Sequence, residues 1–122
     1  MANEAVCIET PTQFAQYTIA DGANIAIGTV MYISSDPKTI LATSAADQSF
    51  AGIAWEEKTA SDGIVTLTVA QNGDWDMKDS GGGLTLGTLV AVAGVNTIVT
   101  ADAADILNGA LIGYVEETAS AA

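Results

Sequence analysis

Apolar positions along the chain fall into short clusters whose spacing is that of strands. Between residues 65 and 69, Val65, Leu67 and Val69 alternate with Thr66 and Thr68, which puts aliphatic side chains on one face and threonines on the other, the pattern of a half-exposed strand. Residues 29–33 and 89–92 are apolar on both faces, as expected of a strand buried in a barrel or covered by a neighbouring subunit. Asp36-Pro37-Lys38 marks a turn in which proline presets φ, and Gly94-Val95-Asn96 holds a comparable place later in the chain. Twelve glycines cut the apolar stretches into short segments. They leave two windows for a helical turn or two, residues 44–49 and 101–107, both alanine-rich.

The pattern repeats. Residues 25–33 (Ile-Ala-Ile-Gly-Thr-Val-Met-Tyr-Ile) match residues 84–92 (Leu-Thr-Leu-Gly-Thr-Leu-Val-Ala-Val), with the Gly-Thr pair in register. A turn and a Thr-Ile pair follow in each copy, Thr39-Ile40 and Thr97-Ile98, then an Ala-Asp step, Ala46-Asp47 and Ala104-Asp105. The copies end on a glycine with apolar residues and two glutamates, Gly52 to Glu57 and Gly113 to Glu117, and in this alignment Trp55 and Tyr114 take matching places. Each copy, 25–57 and 84–117, predicts strand, turn, strand, small excursion, strand. A β-unit of this size cannot bury both faces alone, so the two should close on each other as a small barrel or sandwich. The expected fold is all-β, one barrel-like domain over residues 21–122.

Residues 1–20 precede the repeat. Thr10-Pro11-Thr12 interrupts them, and Val6, Ile8, Phe14, Tyr17 and Ile19 give apolar anchors without a self-contained pattern. They read as an extended arm laid on a neighbouring surface, with Val6, Ile8, Pro11, Phe14 and Tyr17 as its partner-binding residues.

Composition supports the strand reading and narrows the function. Threonine, isoleucine and valine supply 34 of 122 residues, and β-branched side chains suit a pleated surface. Fifteen carboxylates face three lysines, no arginine and no histidine, a net charge of −12. Lys38, Lys58 and Lys78 are too few and too scattered to hold a phosphate backbone or an anionic membrane surface, so neither nucleic acid nor membrane is an expected partner. The longest apolar run, residues 89–95, is far short of the roughly 20 residues of a membrane helix. Residues 1–9 carry no basic, then apolar, leader pattern. Cys7 is the single cysteine and reads as a small apolar filler.

Candidate chemistry is sparse. Without histidine there is no Ser-His or Cys-His pair and no imidazole ligand. Gly81-Gly82-Gly83 lacks the Lys-Ser/Thr of a phosphate loop and reads as a loop tip. Asp74, Asp76 and Asp79 flank Trp75 and Met77, but Lys78 stands where a calcium loop needs its third ligand. Glu56-Glu57 and Glu116-Glu117 read as solvated strand ends, because adjacent strand residues point to opposite faces. No cofactor or metal is expected. Trp55 and Tyr114 are expected in core or barrel-end packing ahead of a sugar-stacking platform. Trp75, between two aspartates in a glycine-rich stretch, is a candidate anchor for a protein partner, with packing under its own loop as the alternative.

Several short motifs together resemble the head-decoration, or capsid cement, proteins of tailed bacteriophages and related viruses: the Met-Ala-Asn-Glu-Ala-Val start, Ala20-Asp21-Gly22, Ile27 to Val30, Phe50 to Ala54, Glu56-Glu57-Lys58 and Gly87 to Val90. The resemblance implies a compact β-barrel or tulip-shaped domain without enzymatic activity. It implies assembly as a homotrimer on the outer capsid surface of the virion, with the N-terminal arm reaching onto the major capsid protein or a neighbouring cement subunit. The alternative reading from the residues is a carbohydrate-binding or adhesive β-module using Trp55, Trp75 and nearby carboxylates.

Overall fold

The computed structural model describes residues 3–117, so residues 1–2 of the expected arm and 118–122 of the expected domain lie outside the described residues. The described residues are all-β apart from one short helix. The strands in chain order are β1 (Val6–Glu9), β2 (Phe14–Thr18), β3 (Val30–Ile33), β4 (Ile40–Ala42), β5 (Phe50–Ala54), β6 (Thr66–Ala70), β7 (Asp74–Asp76), β8 (Lys78–Asp79), β9 (Leu89–Gly94), β10 (Thr97–Thr100) and β11 (Leu111–Tyr114). The helix α1 (Ala103–Leu107) sits in the second of the two helical windows; residues 44–49 form bends and turns instead. Gln48 accounts for this, because its side-chain oxygen accepts from the Ser44 and Ala45 N–H groups and ties the segment into a tight loop.

Three sheets result, ordered β2-β6-β5-β3-β4, β11-β9-β10-β8 and β1-β7. Each is open, so no sheet closes on itself as a barrel among the described residues. Pairing is antiparallel except between β8 and β10.

The repeat is present down to individual hydrogen bonds. β5-β3-β4 in the first copy corresponds to β11-β9-β10 in the second. Val30↔Ile53, Met31↔Gly52 and Tyr32↔Phe50 across β3 and β5 match Leu89↔Tyr114, Val90↔Gly113 and Ala91↔Leu111 across β9 and β11, with the same bulge in each. Gly28 and Gly87 both take left-handed φ, 92° and 83°. The following threonine closes the turn in each copy, Thr29 Oγ1 donating to the Ala26 carbonyl and Thr88 Oγ1 to the Thr85 carbonyl, both at 2.7 Å. This register corrects one match from the sequence: the counterpart of Tyr114 is Ile53, and Trp55 corresponds to Glu116.

Two of the three cores are copies of each other. Ile25, Met31, Ile40 and Ala54 pack with Ile19, Leu67 and Val69; Leu84, Val90, Ile98 and Val115 occupy the equivalent places in the second copy. The third core lies between copies, where Val30 meets Ala91, Val92 and Ala110. Strands β3 and β9 are apolar on both faces for this reason: Met31 and Val90 fill their own repeat's core while their neighbours fill the shared one. The middle of each strand thus uses both faces internally, whereas Ile33 at the end of β3 and Leu89 at the start of β9 stay exposed. Val65 departs from its expected place, lying half exposed just outside β6 while Leu67 and Val69 are buried.

Residues 3–20 do not project. Strand β2 pairs along its length with β6 at the edge of the five-stranded sheet, and β1 pairs with β7. The Ala5 N–H donates to the Gly28 carbonyl at 2.8 Å, and Ile19 is a core residue. The expected arm is therefore folded onto its own chain, because β1 and β2 find ladder partners on strands distant in sequence and Ile19 joins the core.

Candidate interaction surface

The segment's candidate binding residues divide. Pro11 is buried and Tyr17 packs on the first core, so both serve the chain's own packing. Val6 and Ile8 remain exposed on β1 and Phe14 on β2. Cys7, between Val6 and Ile8, is half-buried and donates to the Glu9 carbonyl.

Trp75 is on strand β7 and not in a loop. It stands opposite Cys7 in the β1-β7 ladder and is half-buried, its indole N–H donating to the Asn72 carbonyl at 3.0 Å. Its ring meets Trp55 edge-on at 6.1 Å, and Trp55 meets Phe14 at 5.5 Å in a tilted contact. Such edge and tilted geometries are the favourable ones for aromatic pairs. Three aromatics distant in sequence thus form one surface cluster with Trp75 as its inner member.

Beside this cluster lies a cleft of about 610 Å³. Its lining includes Ile53, Val90 and Ile98, all buried, together with Trp75 and Tyr114, and its rim carries Asp74 and Glu116. The Asp74 charge, then desolvation, the Asp74 hydrogen bond and the charges of Glu9 and Glu117 hold the Glu116 carboxyl above the ordinary glutamate range. Glu9 stands opposite Asp74 across the β1-β7 ladder. Sequence reasoning missed this convergence, since nothing local joins β7 to the chain after β11. The negative, partly aromatic rim suits a hydroxyl-rich or cationic ligand.

Other charged groups are structural in placement. Asp74, Asp76 and Asp79 spread over β7 and β8; Asp79 Oδ2 accepts from the Gly83 N–H. Asp47, Asp102 and Asp105 do converge, at the start of α1. There Asp102 and Asp105 form a reciprocal capping box. The Asp102 N–H lowers Asp105, but burial, the Asp47 hydrogen bond and the Asp102 charge outweigh it and hold its carboxyl above the ordinary range. Lys58 is buried and donates to the Asp21 carbonyl at 2.9 Å and to Asp62 at 2.8 Å. That hydrogen bond and the Ile64 N–H lead in lowering the Asp62 carboxyl. Among the described residues no helix is long and apolar enough to cross a membrane.

Comparison with protein-family models, curated proteins and solved structures gave no match.

Proposed function

We propose that the chain is a non-enzymatic decoration protein of a viral head, which binds the outer capsid surface as a homotrimer and ties together neighbouring copies of the major capsid protein. One observation carries this reading: fifteen large hydrophobic side chains stay exposed among the described residues on a chain of net charge −12. Charge of that size keeps the free protein soluble, while uncovered aliphatic and aromatic groups supply the area that association buries. We read the three open sheets as a tulip-like β-domain rather than a closed barrel. Val6 and Ile8, exposed on the short β1-β7 ribbon, are its capsid-facing residues, and three such contacts on one trimer act together through effective concentration. Reinforcement of this kind needs no reactive group.

The experiment is co-sedimentation with expanded, undecorated capsids. Val6→Asp with Ile8→Asp is expected to lower occupancy at fixed protein concentration at least tenfold, and unchanged occupancy refutes the assignment of this face. The carbohydrate reading draws support from the cleft, where Trp75, Tyr114 and paired carboxylates meet. A glycan panel tests it: saturable binding lost in Trp75→Ala favours the adhesive module.

A further inference from the structure

The two copies of the repeat are not packed reciprocally. In the first copy the cross-strand pair Val30 and Ile53 is 1% and 2% exposed. Val30 is covered by Ala91, Val92 and Ala110 of the second copy. The equivalent pair in the second copy, Leu89 and Tyr114, has the same register across β9 and β11 yet is 47% and 64% exposed. The covering residues show the mirror of this. Ala91 and Val92 are fully buried, whereas their first-copy counterparts are a half-buried Tyr32 and Ile33 at 41% exposure. A reciprocal, two-fold arrangement would have placed Ile33 over Leu89 as Val92 is placed over Val30. It does not, so one face of each kind is left open.

We infer that Leu89 and Tyr114 form a docking face for a second copy of this chain, which covers them with the Tyr32 and Ile33 edge of its first repeat. The occupant is identified by the repeat itself. The open face has the backbone register of a face that this chain already buries, and the open edge has the backbone of the strand that buries it. Applying the same step from the second copy to the first copy of the next chain is a head-to-tail, heterologous contact. Such contacts close into a ring when the rotation allows. The inference rests on the proposed reading only for the ring size, since three chains would place six repeats around one axis. The contact itself is read without capsid. Its failure therefore leaves capsid binding standing, and a failed capsid assay leaves the contact standing.

The test is the mass of the full chain by light scattering over a wide concentration range, up to the solubility limit. The parent is expected to reach a closed oligomer, three times 12.3 kDa in the proposed ring. Leu89→Asp with Tyr114→Asp, and separately Ile33→Asp, should each stay at 12.3 kDa. Ile64→Asp with Val65→Asp, equally exposed but on neither face, should assemble like the parent. Melting curves check that each variant is folded, and Leu89→Ser with Tyr114→Ser repeats the test without added charge. Mixing the two defective chains is the discriminating step. Each retains the face that the other lacks, so a head-to-tail contact gives one junction and twice the monomer mass, whereas an isologous contact gives none. A parent that stays monomeric at every concentration overturns the inference, as do unaltered masses for the Leu89 and Tyr114 variants.

Discussion

Asn96 is the polar joint between the two repeats, and its removal has a calculable cost. It lies at the tip of the β9-β10 hairpin with φ 52° and is 1% exposed. Its Oδ1 accepts the Val30 N–H at 2.9 Å, and its own N–H donates to Thr43 Oγ1 at 3.4 Å. Val30 is equally buried, so no water replaces the lost acceptor without opening the shared core. Leaving a buried backbone donor unpaired costs about 2 kcal/mol. In Asn96→Gly that is the main change, because glycine's ease at positive φ and its extra freedom in the unfolded chain roughly offset each other. Asn96→Ala loses the same bond and also holds a Cβ in the left-handed region, adding about 1 kcal/mol. With about 4 °C per kcal/mol for a domain of this size, the melting temperature should fall by about 8 °C in the glycine variant and about 12 °C in the alanine variant. Thermal unfolding by circular dichroism, with guanidinium titrations for the free energies, measures both. Coincident melting of the two variants would refute the strain component. A glycine variant melting with the parent would refute the hydrogen bond as the joint.

Lys58→Met keeps the apolar stem but removes the ammonium that holds Asp21 and Asp62. A loss of about 2 kcal/mol in chemical denaturation is expected, and an unchanged midpoint contradicts the reading. Asp62 is held below its ordinary 3.8, so its contribution is present above that value and lost as pH falls through the lower folded one; the Lys58 variant should flatten that acid limb. Gly28→Ala should destabilise far more than Gly87→Ala although both φ values are positive, because a Cβ at 28 would strike the Ala5 carbonyl while at 87 it meets open space. Equal melting of the two variants excludes the contact with residue 5 as a constraint. Glu116 is held above its ordinary 4.5, so the folded state binds its proton more readily and stability falls as pH rises through the raised value. Glu116→Gln should therefore melt higher than the parent at neutral pH and match it well below 4.5. The difference should shrink with salt, and its absence at low ionic strength removes the carboxyl repulsion.

What the sequence made legible is what local chemistry determines. Turn residues at Gly28-Thr29 and Gly87-Thr88, and hairpin signals at Pro37-Lys38 and Val95-Asn96, set short antiparallel pairs, and their spacing revealed the repeat and its register. Pairings between distant segments were not legible. Residues 14–18 look like an interrupted arm until β6 is beside them, and Trp75 looks like an exposed anchor until Trp55 packs on its ring. The Asp74 and Glu116 pair has the same origin, since only the assembled sheets bring β7 against the end of the second repeat. Alignment alone also misplaced Trp55 against Tyr114, a slip of two residues that keeps the strand face and so leaves the in-out pattern looking right.

The two repeats differ most where they would meet a neighbour. At the internal junction Asn96 offers a short acceptor that reaches a buried N–H. Its counterpart by register is Lys38, also left-handed at φ 51°, whose ammonium lies 5.7 Å from the centre of the Tyr17 ring and has no acceptor to offer. A junction between chains that follows the inferred geometry therefore keeps the apolar part of the internal one and lacks its polar anchor. It should be weaker than the fold, so chains would fold first and associate afterwards in a concentration-dependent way. Replacing Lys38 by Asn restores an acceptor at that position. Stronger self-association of Lys38→Asn than of the parent would locate the difference between folding and assembly at this single residue, and equal or weaker association would place it elsewhere.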